Sequence, residues 1–240
     1  FAQLMAAMLG LEQKQMVSTA WKNTFDDVDT KHKSYAAVSF LADRGVIAGN
    51  GKKFYPNQPI AYYEAVKMLV CTLGYDAPAL ENGGYPSGYL LTAKQFHLIR
   101  KIESGDAQAL SASFCAEMIE YAMDAKLMEP SYDRPSVGQK VQDVTVLERY
   151  HSIGSYKGIL ETAGCLSLKA NSDYSDDVVM VDEEEFRGES NKFRDYIGYR
   201  VKVYYRTGNN GEDRELLYAE SVHGSNKCVE IAEEQLLGYE

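Results

Sequence analysis

The fold turns on residues 25–74, FDDVDTKHKSYAAVSFLADRGVIAGNGKKFYPNQPIAYYEAVKMLVCTLG. Tyr35, Val38, Leu41 and Ala42 recur at helical spacing, which predicts a helix capped by Asp29 or Thr30. Gly45 stops it, because a helix end favours a residue that accepts a positive φ. Val46 and Ile47 form a short apolar plug, and Gly49 to Lys53 read as a turn. Phe54, Pro56 and Pro59 then lead into a second helix from about Ala61 to Leu73, closed by Gly74. The unit is helix, glycine stop, tight turn, helix.

Working outward, Phe1, Leu4, Met5, Met8 and Leu11 share one face of an earlier amphipathic helix. A weaker copy of the helix pair follows, with one helix over Tyr85–Ile102 and its partner over Ala112–Lys126. Repetition at a period of about 50 residues predicts an array of similar units, Phe1–Leu11 being the tail of a preceding one.

These blocks resemble the S-layer homology (SLH) repeat, whose pattern runs F-x-D-V, H-W-A-Y-x-A-I, G-I-I-x-G, F-x-P and I-T-R-A-E. Phe25, Asp27 and Val28 match the first block, and His32, Tyr35, Ala37 and Val38 the second. Gly45, Val46, Ile47 and Gly49 match the third, and Phe54 with Pro56 the fourth. The resemblance covers a full repeat over 24–78, a degenerate repeat over 84–130 and the tail of another. It implies a mostly helical module on the outer surface of a Gram-positive bacterium, holding secondary cell-wall polysaccharide through an Arg of the last block and an Asp of the first.

The departures matter. The last block reads Ile60-Ala61-Tyr62-Tyr63-Glu64, so Tyr62 stands where the family has Arg; the second copy, Leu110 to Phe114, lacks both Arg and Glu. Lys33 replaces the usual Trp. A guanidinium offers a planar charged fork to a carboxylate, whereas Tyr offers one hydroxyl and a ring face. The candidate ligand-binding set carried by the resemblance is Asp27, Lys33, Gly49, Lys52, Lys53, Tyr62 and Glu64, the lysines supplying charge that the missing Arg does not. Each has a plainer reading. Asp27 caps a turn as readily as it meets ligand, Glu64 suits a first-turn dipole contact, and Tyr62 suits packing.

Charge and texture change along the chain. Residues 1–140 hold 14 Lys/Arg and 15 Asp/Glu, and residues 141–240 hold 11 and 20, so nearly all of the net charge of −10 lies in the second part. The first part is rich in Ala, Leu and Met. The second is rich in Val, Tyr, Ile and Gly in short runs. Breaker residues Pro130, Pro135 and Gly138 separate them. The expected architecture is α+β and multidomain: an all-α repeat domain over 1–136 and a small, mainly-β barrel or rolled sheet over 146–240. In the second domain, 198–206 alternates Tyr199, Val201, Val203 and Tyr205 against Arg200, Lys202, Tyr204 and Arg206, with a turn and a partner strand over 214–222. A last strand is expected over 226–231. This half resembles the β domain that follows SLH repeats in clostridial surface proteins.

Several classes of function are disfavoured. A pI near 5.0 argues against a nucleic-acid backbone binder, and no apolar run approaches the roughly 18 residues of a membrane span. The chain opens inside a helical pattern, so any targeting segment is expected upstream. No G-x-S-x-G, H-E-x-x-H, phosphate-binding glycine loop or Cys–His signature is present, so neither catalytic residue nor cofactor is assigned. The acidic run over 173–185 lacks the central Gly of a calcium loop. Four cysteines without C-x-x-C spacing read as separate buried thiols, with no metal site.

Three functions remain open: a cell-envelope anchor for secondary cell-wall polysaccharide, a structural S-layer subunit whose repeats pack against other surface-layer proteins, and part of a carbohydrate-processing surface enzyme.

Overall fold

The computed structural model describes residues 1–12, 15, 21–22, 25–100, 109–130, 139–169, 174–208 and 213–227. The chain divides into two compact units, Phe1–His151 and Ser152–Glu240; the division falls six residues beyond the start at 146 expected from composition.

The first unit opens with α1 (Ala2–Met8). Helix α2 (Tyr35–Asp43) starts later than a cap at Asp29 or Thr30 requires. The Asp29 carboxylate instead accepts the Lys31 N–H at 2.8 Å, and His32 Nδ1 accepts the Ser34 N–H at 3.1 Å. These local bonds hold the segment in turns. Gly45 ends α2 at φ +69°, and the Val46 N–H reaches back to the Leu41 carbonyl. Helix α3 (Tyr62–Thr72) ends the same way at Gly74, φ +87°, with the Tyr75 N–H on the Val70 carbonyl. Both glycine stops follow the sequence pattern. Val38, Leu41, Val66 and Leu69 are fully buried between these helices and α1.

The unit then departs from the expected repeat. The segment after Gly74 forms a short helix, α4 (Asp76–Glu81), that the periodicity did not signal. Helix α5 (Ser87–Gln95) is half the expected length. His97 takes φ +53° and the Leu98 N–H bonds the Ala93 carbonyl, which closes the helix well before Ile102. Helix α6 (Ala112–Met123) is capped by Ser111, whose Oγ accepts the Phe114 N–H at 3.1 Å, and stops short of Lys126. Lys126–Pro130 is β1, antiparallel to β2 (Gln139–Thr145), so this unit is not all-α. A hairpin forms there because β1 already has a docking partner. The Met128 N–H donates to the Leu73 carbonyl at the end of α3, and the Met128 carbonyl lies against Gly74, where a Cβ would overlap it. Helix α7 (Val146–His151) closes the unit with a reciprocal capping box between Thr145 and Glu148.

The second unit is sheet-rich. Its strands are β3 (Ile153–Ala163), β4 (Leu166–Ser167), β5 (Val178–Val181), β6 (Glu184–Arg187), β7 (Arg200–Thr207) and β8 (Arg214–Ser221). β3 pairs with β5, β5 with β6, β8 with β7, and β7 with β3 again, all antiparallel; β6 meets β8 in parallel at Arg187 and Glu215. The pairing therefore returns to its starting strand. Leu160, Val179, Val181, Phe186, Val201 and Val203 fill the inside at 0% exposure, as strict alternation on β7 demands. Two 3₁₀ turns, Ser190–Lys192 and Arg194–Tyr196, link β6 to β7 and bury Phe193. Cys165 lies exposed in the turn after Gly164, contrary to the expectation of four buried thiols: a two-residue turn leaves its tip in solvent. The strand expected over 226–231 falls largely outside the described residues.

Candidate functional site

The residues singled out by the repeat pattern fall into two groups. The first surrounds the turn after α2. Asp27 directs both carboxylate oxygens at the chain beyond the turn, accepting the Phe54 N–H at 2.9 Å and the Tyr55 N–H at 2.8 Å. The Phe54 N–H foremost, then the Tyr55 N–H and the nearby Lys53, hold its carboxyl below the usual range. Asp26 N–H bonds the Lys52 carbonyl at 2.8 Å, and Asn50 and Lys53 exchange backbone bonds. Gly49, at φ +65°, lets this turn lie against Phe25; a Cβ there would overlap the ring and stand 2.6 Å from the Lys53 carbonyl oxygen. The Lys52 and Lys53 side chains are exposed above this frame. The F-x-D-V and F-x-P blocks are thus two sides of one clasp, closed by Asp27. Lys33 stands elsewhere, exposed at the entry to α2, its carbonyl accepting from Gln3 Nε2 at 2.9 Å.

The second group is the first turn of α3. Glu64 accepts the Ala61 N–H at 2.9 Å, half of a capping box, the other half being absent because Ala61 has no side-chain acceptor. Tyr62 points inward and is 1% exposed, its ring edge-on to Phe114 of α6 at 6.0 Å. The position that carries Arg in the family pattern is here a packing residue between α3 and α6.

A third constellation was not read from the sequence. On the other side of α3, Lys67 Nζ stands 5.5 Å from the ring centre of Tyr85 and 5.8 Å from that of Tyr89. Tyr85 is 52% exposed, and burial together with the Glu64 carboxylate pushes its hydroxyl pKa up. Beneath them Asp76 accepts from Tyr89 Oη at 2.5 Å and from Cys71 Sγ at 3.3 Å. Burial, reinforced by Asp76, pushes the Cys71 thiol up to about 12, so it stays protonated. The available signal was the three-residue step from Glu64 to Lys67, which puts both on one helix face. Tyr85 gave none, because only the short α4 and the following turn bring it back over α3. The group is a flat exposed ring with a cation over it and a carboxylate near it, suited to a polar ligand with an apolar face. Among the described residues, no group of three or more His, Cys, Asp and Glu is placed to hold a metal ion.

Glycine-stopped helices joined by a clasp of paired F-x-D-V and F-x-P segments define the class of module present. The family model for the S-layer homology domain matches residues 24–69, and the chain carries such a domain there. Among curated proteins, the chain is 27% identical over 151 residues to "Surface layer protein" of Brevibacillus choshinensis, covering 62% of this chain and 13% of that protein. It is 26% identical over 151 residues to "Middle cell wall protein" of Brevibacillus brevis, covering 62% of this chain and 14% of that one. The chain therefore spans only a small part of the length of these relatives.

Proposed function

We propose that this chain is a non-catalytic anchoring segment at the surface of a Gram-positive cell, in which the helical unit holds secondary cell-wall polysaccharide. The observation that carries the reading is the S-layer homology domain at residues 24–69, in a chain similar to proteins named for the surface layer and the cell wall. In this reading α2 and α3 form one full repeat and α5 and α6 a degenerate one. Asp27, Gly49, Tyr62 and Glu64 build the scaffold, since their polar groups and rings are turned to the chain itself. Contact with the polymer falls to the exposed Lys33, Lys52 and Lys53 and to the Lys67–Tyr85 pair.

The test is co-sedimentation of the chain with purified walls of the source organism, before and after acid extraction of the secondary polymer. Binding that disappears on extraction, and falls at least tenfold in Lys67→Ala/Tyr85→Ala, is the expected result. A second reading, a structural subunit whose repeats pack against other surface-layer proteins, is favoured by the burial of Tyr62 in the place of Arg. It predicts no saturable wall binding and concentration-dependent self-association instead.

A further inference from the structure

We propose that Asn50 is a site of spontaneous modification, at which the side-chain amide is lost as ammonia and an acid takes its place. The chain holds three Asn-Gly pairs, Asn50-Gly51, Asn82-Gly83 and Asn210-Gly211. In such a pair the main-chain nitrogen of the glycine reaches the side-chain carbonyl carbon of the asparagine without a Cβ in its way. The N–C bond that forms closes a five-membered succinimide ring, and the amide nitrogen leaves as ammonia, taking the main-chain proton. Water then opens the ring. Attack at the side-chain carbonyl gives aspartate, and attack at the main-chain carbonyl gives isoaspartate, with the chain rerouted through the former side chain. Water is the one co-reactant, and nothing is oxidised or reduced.

What separates the pairs is whether the reacting groups are already committed. Asn82 is held. Its Nδ2 donates to Thr92 Oγ1 at 2.9 Å and to Gln95 Oε1 at 3.5 Å, and Thr92 is fully buried. The Gly83 N–H, which would have to attack, donates to the Leu80 carbonyl at 3.1 Å. Asn50 is free on both counts. It is the first residue of a turn closed by its own N–H on the Lys53 carbonyl at 2.8 Å and by the Lys53 N–H on the Asn50 carbonyl at 3.2 Å. A turn of this kind is tied at its ends and leaves the N–H of its second residue, here Gly51, unused. Among the described residues neither that N–H nor the Asn50 side-chain amide has a partner, and both residues are exposed. Gly51 takes φ +63°, and no atom lies within 4 Å of where its Cβ would stand. The pair at 210–211 falls outside the described residues.

The position gives the reaction a consequence. Isoaspartate lengthens the main chain by one CH₂ at the point where Asn50 and Lys53 are in register, the Lys52 carbonyl holds the Asp26 N–H at 2.8 Å and Gly49 lies against Phe25. The clasp that joins the two halves of the repeat is thereby loosened, irreversibly and with time. Either product also sets a new carboxylate beside Lys52 and Lys53. That this would weaken contact with the wall polymer rests on the reading above; the modification itself does not.

The test is to age the full chain at pH 8 and 37 °C, folded and in urea, and to follow the exchange of NH₂ for OH by peptide mass. Tryptic peptides 45–52 and 68–94 report Asn50 and Asn82 separately. In the folded chain Asn50 should convert about tenfold faster than Asn82 or more, the factor that one or two hydrogen bonds supply. In urea the two rates should converge. Asn50→Gln, whose longer side chain closes a ring far more slowly, should keep its Tm on ageing, read by Trp21 fluorescence, while that of the parent falls. Wall binding enters none of these readouts, so failure here is distinct from failure of the anchoring role. Conversion of Asn50 no faster than that of Asn82 in the folded chain, a gap of the same size in urea, or equal loss of Tm in parent and Asn50→Gln overturns the proposal.

Discussion

Replacing Tyr62 separates a packing residue from a ligand-binding one. Its ring is 1% exposed and sits edge-on to Phe114 at 6.0 Å, amid Ala65, Val66 and Leu69 of its own helix's buried face. Truncating a buried aromatic side chain to Ala costs about 3–5 kcal/mol, of which the edge-to-face pair accounts for about 0.5–1.5. In a unit of this size each kcal/mol shifts Tm by about 2–4 °C, so Tyr62→Ala should lower it by about 6–20 °C. Tyr62→Arg, which restores the residue of the family pattern, should cost at least as much, because a guanidinium enters space closed to water. The chain's single Trp, Trp21, lies edge-on to Phe40 at 5.3 Å, so its fluorescence follows the helical unit during thermal unfolding. A Tm within about 2 °C of the parent for either variant would refute the packing argument. Tyr62→Phe, which keeps the ring, should bind walls like the parent at temperatures where both are folded.

Gly49→Ala should destabilise the helical unit by about 1–3 kcal/mol, since its φ is positive and a Cβ meets Phe25 and the Lys53 carbonyl; the urea midpoint of Trp21 fluorescence reads it. Asp27 has a folded pKa below its unfolded one, so its contribution is present above the unfolded value and lost as pH falls through the folded value. Asp27→Asn should therefore lower stability at pH 7 and flatten the acid limb of a Tm-against-pH profile; a parallel profile would refute the clasp. Thiol labelling at pH 8, mapped by peptide mass, should modify exposed Cys165 well before Cys71, whose pKa is pushed up to about 12, or buried Cys115.

Legibility in the sequence followed how local the cause was. Gly45 and Gly74 announce their stops because a positive φ is written in the residue itself, and the β7 alternation announces its faces because period two needs no distant partner. The β1–β2 hairpin was not legible. Lys126–Pro130 becomes a strand by docking on the end of α3, through Met128 and Leu73, and no local pattern encodes that partner. The early end of α5 was missed for a related reason: positive φ is uncommon for any residue other than Gly, so His97 announces a stop far less plainly than Gly45 or Gly74.

The candidate site shows the same division with a functional consequence. Motif matching marks positions where a family places a residue type, and Asp27 and Gly49 proved to be where the fold is clasped. What a motif cannot carry is the side chain's direction. Tyr62 occupies the position of the Arg in the repeat pattern yet faces Phe114, whereas Lys67 and Tyr85, outside every block, meet on the open side of α3. An aromatic at the first turn of α3 is stabilised by burial, while a guanidinium there would have to stay hydrated, so the exchange of Arg for Tyr changes which face of the helix is free to meet a ligand. If the helical unit holds polymer, it must then do so with cations that reach solvent from the turn and from the Lys67 face. The exposed Lys52 and Lys53 and the half-buried Lys67 follow from that constraint as the positions where charge removal should weaken wall binding, at Lys52 and Lys53 without lowering the Tm of the helical unit.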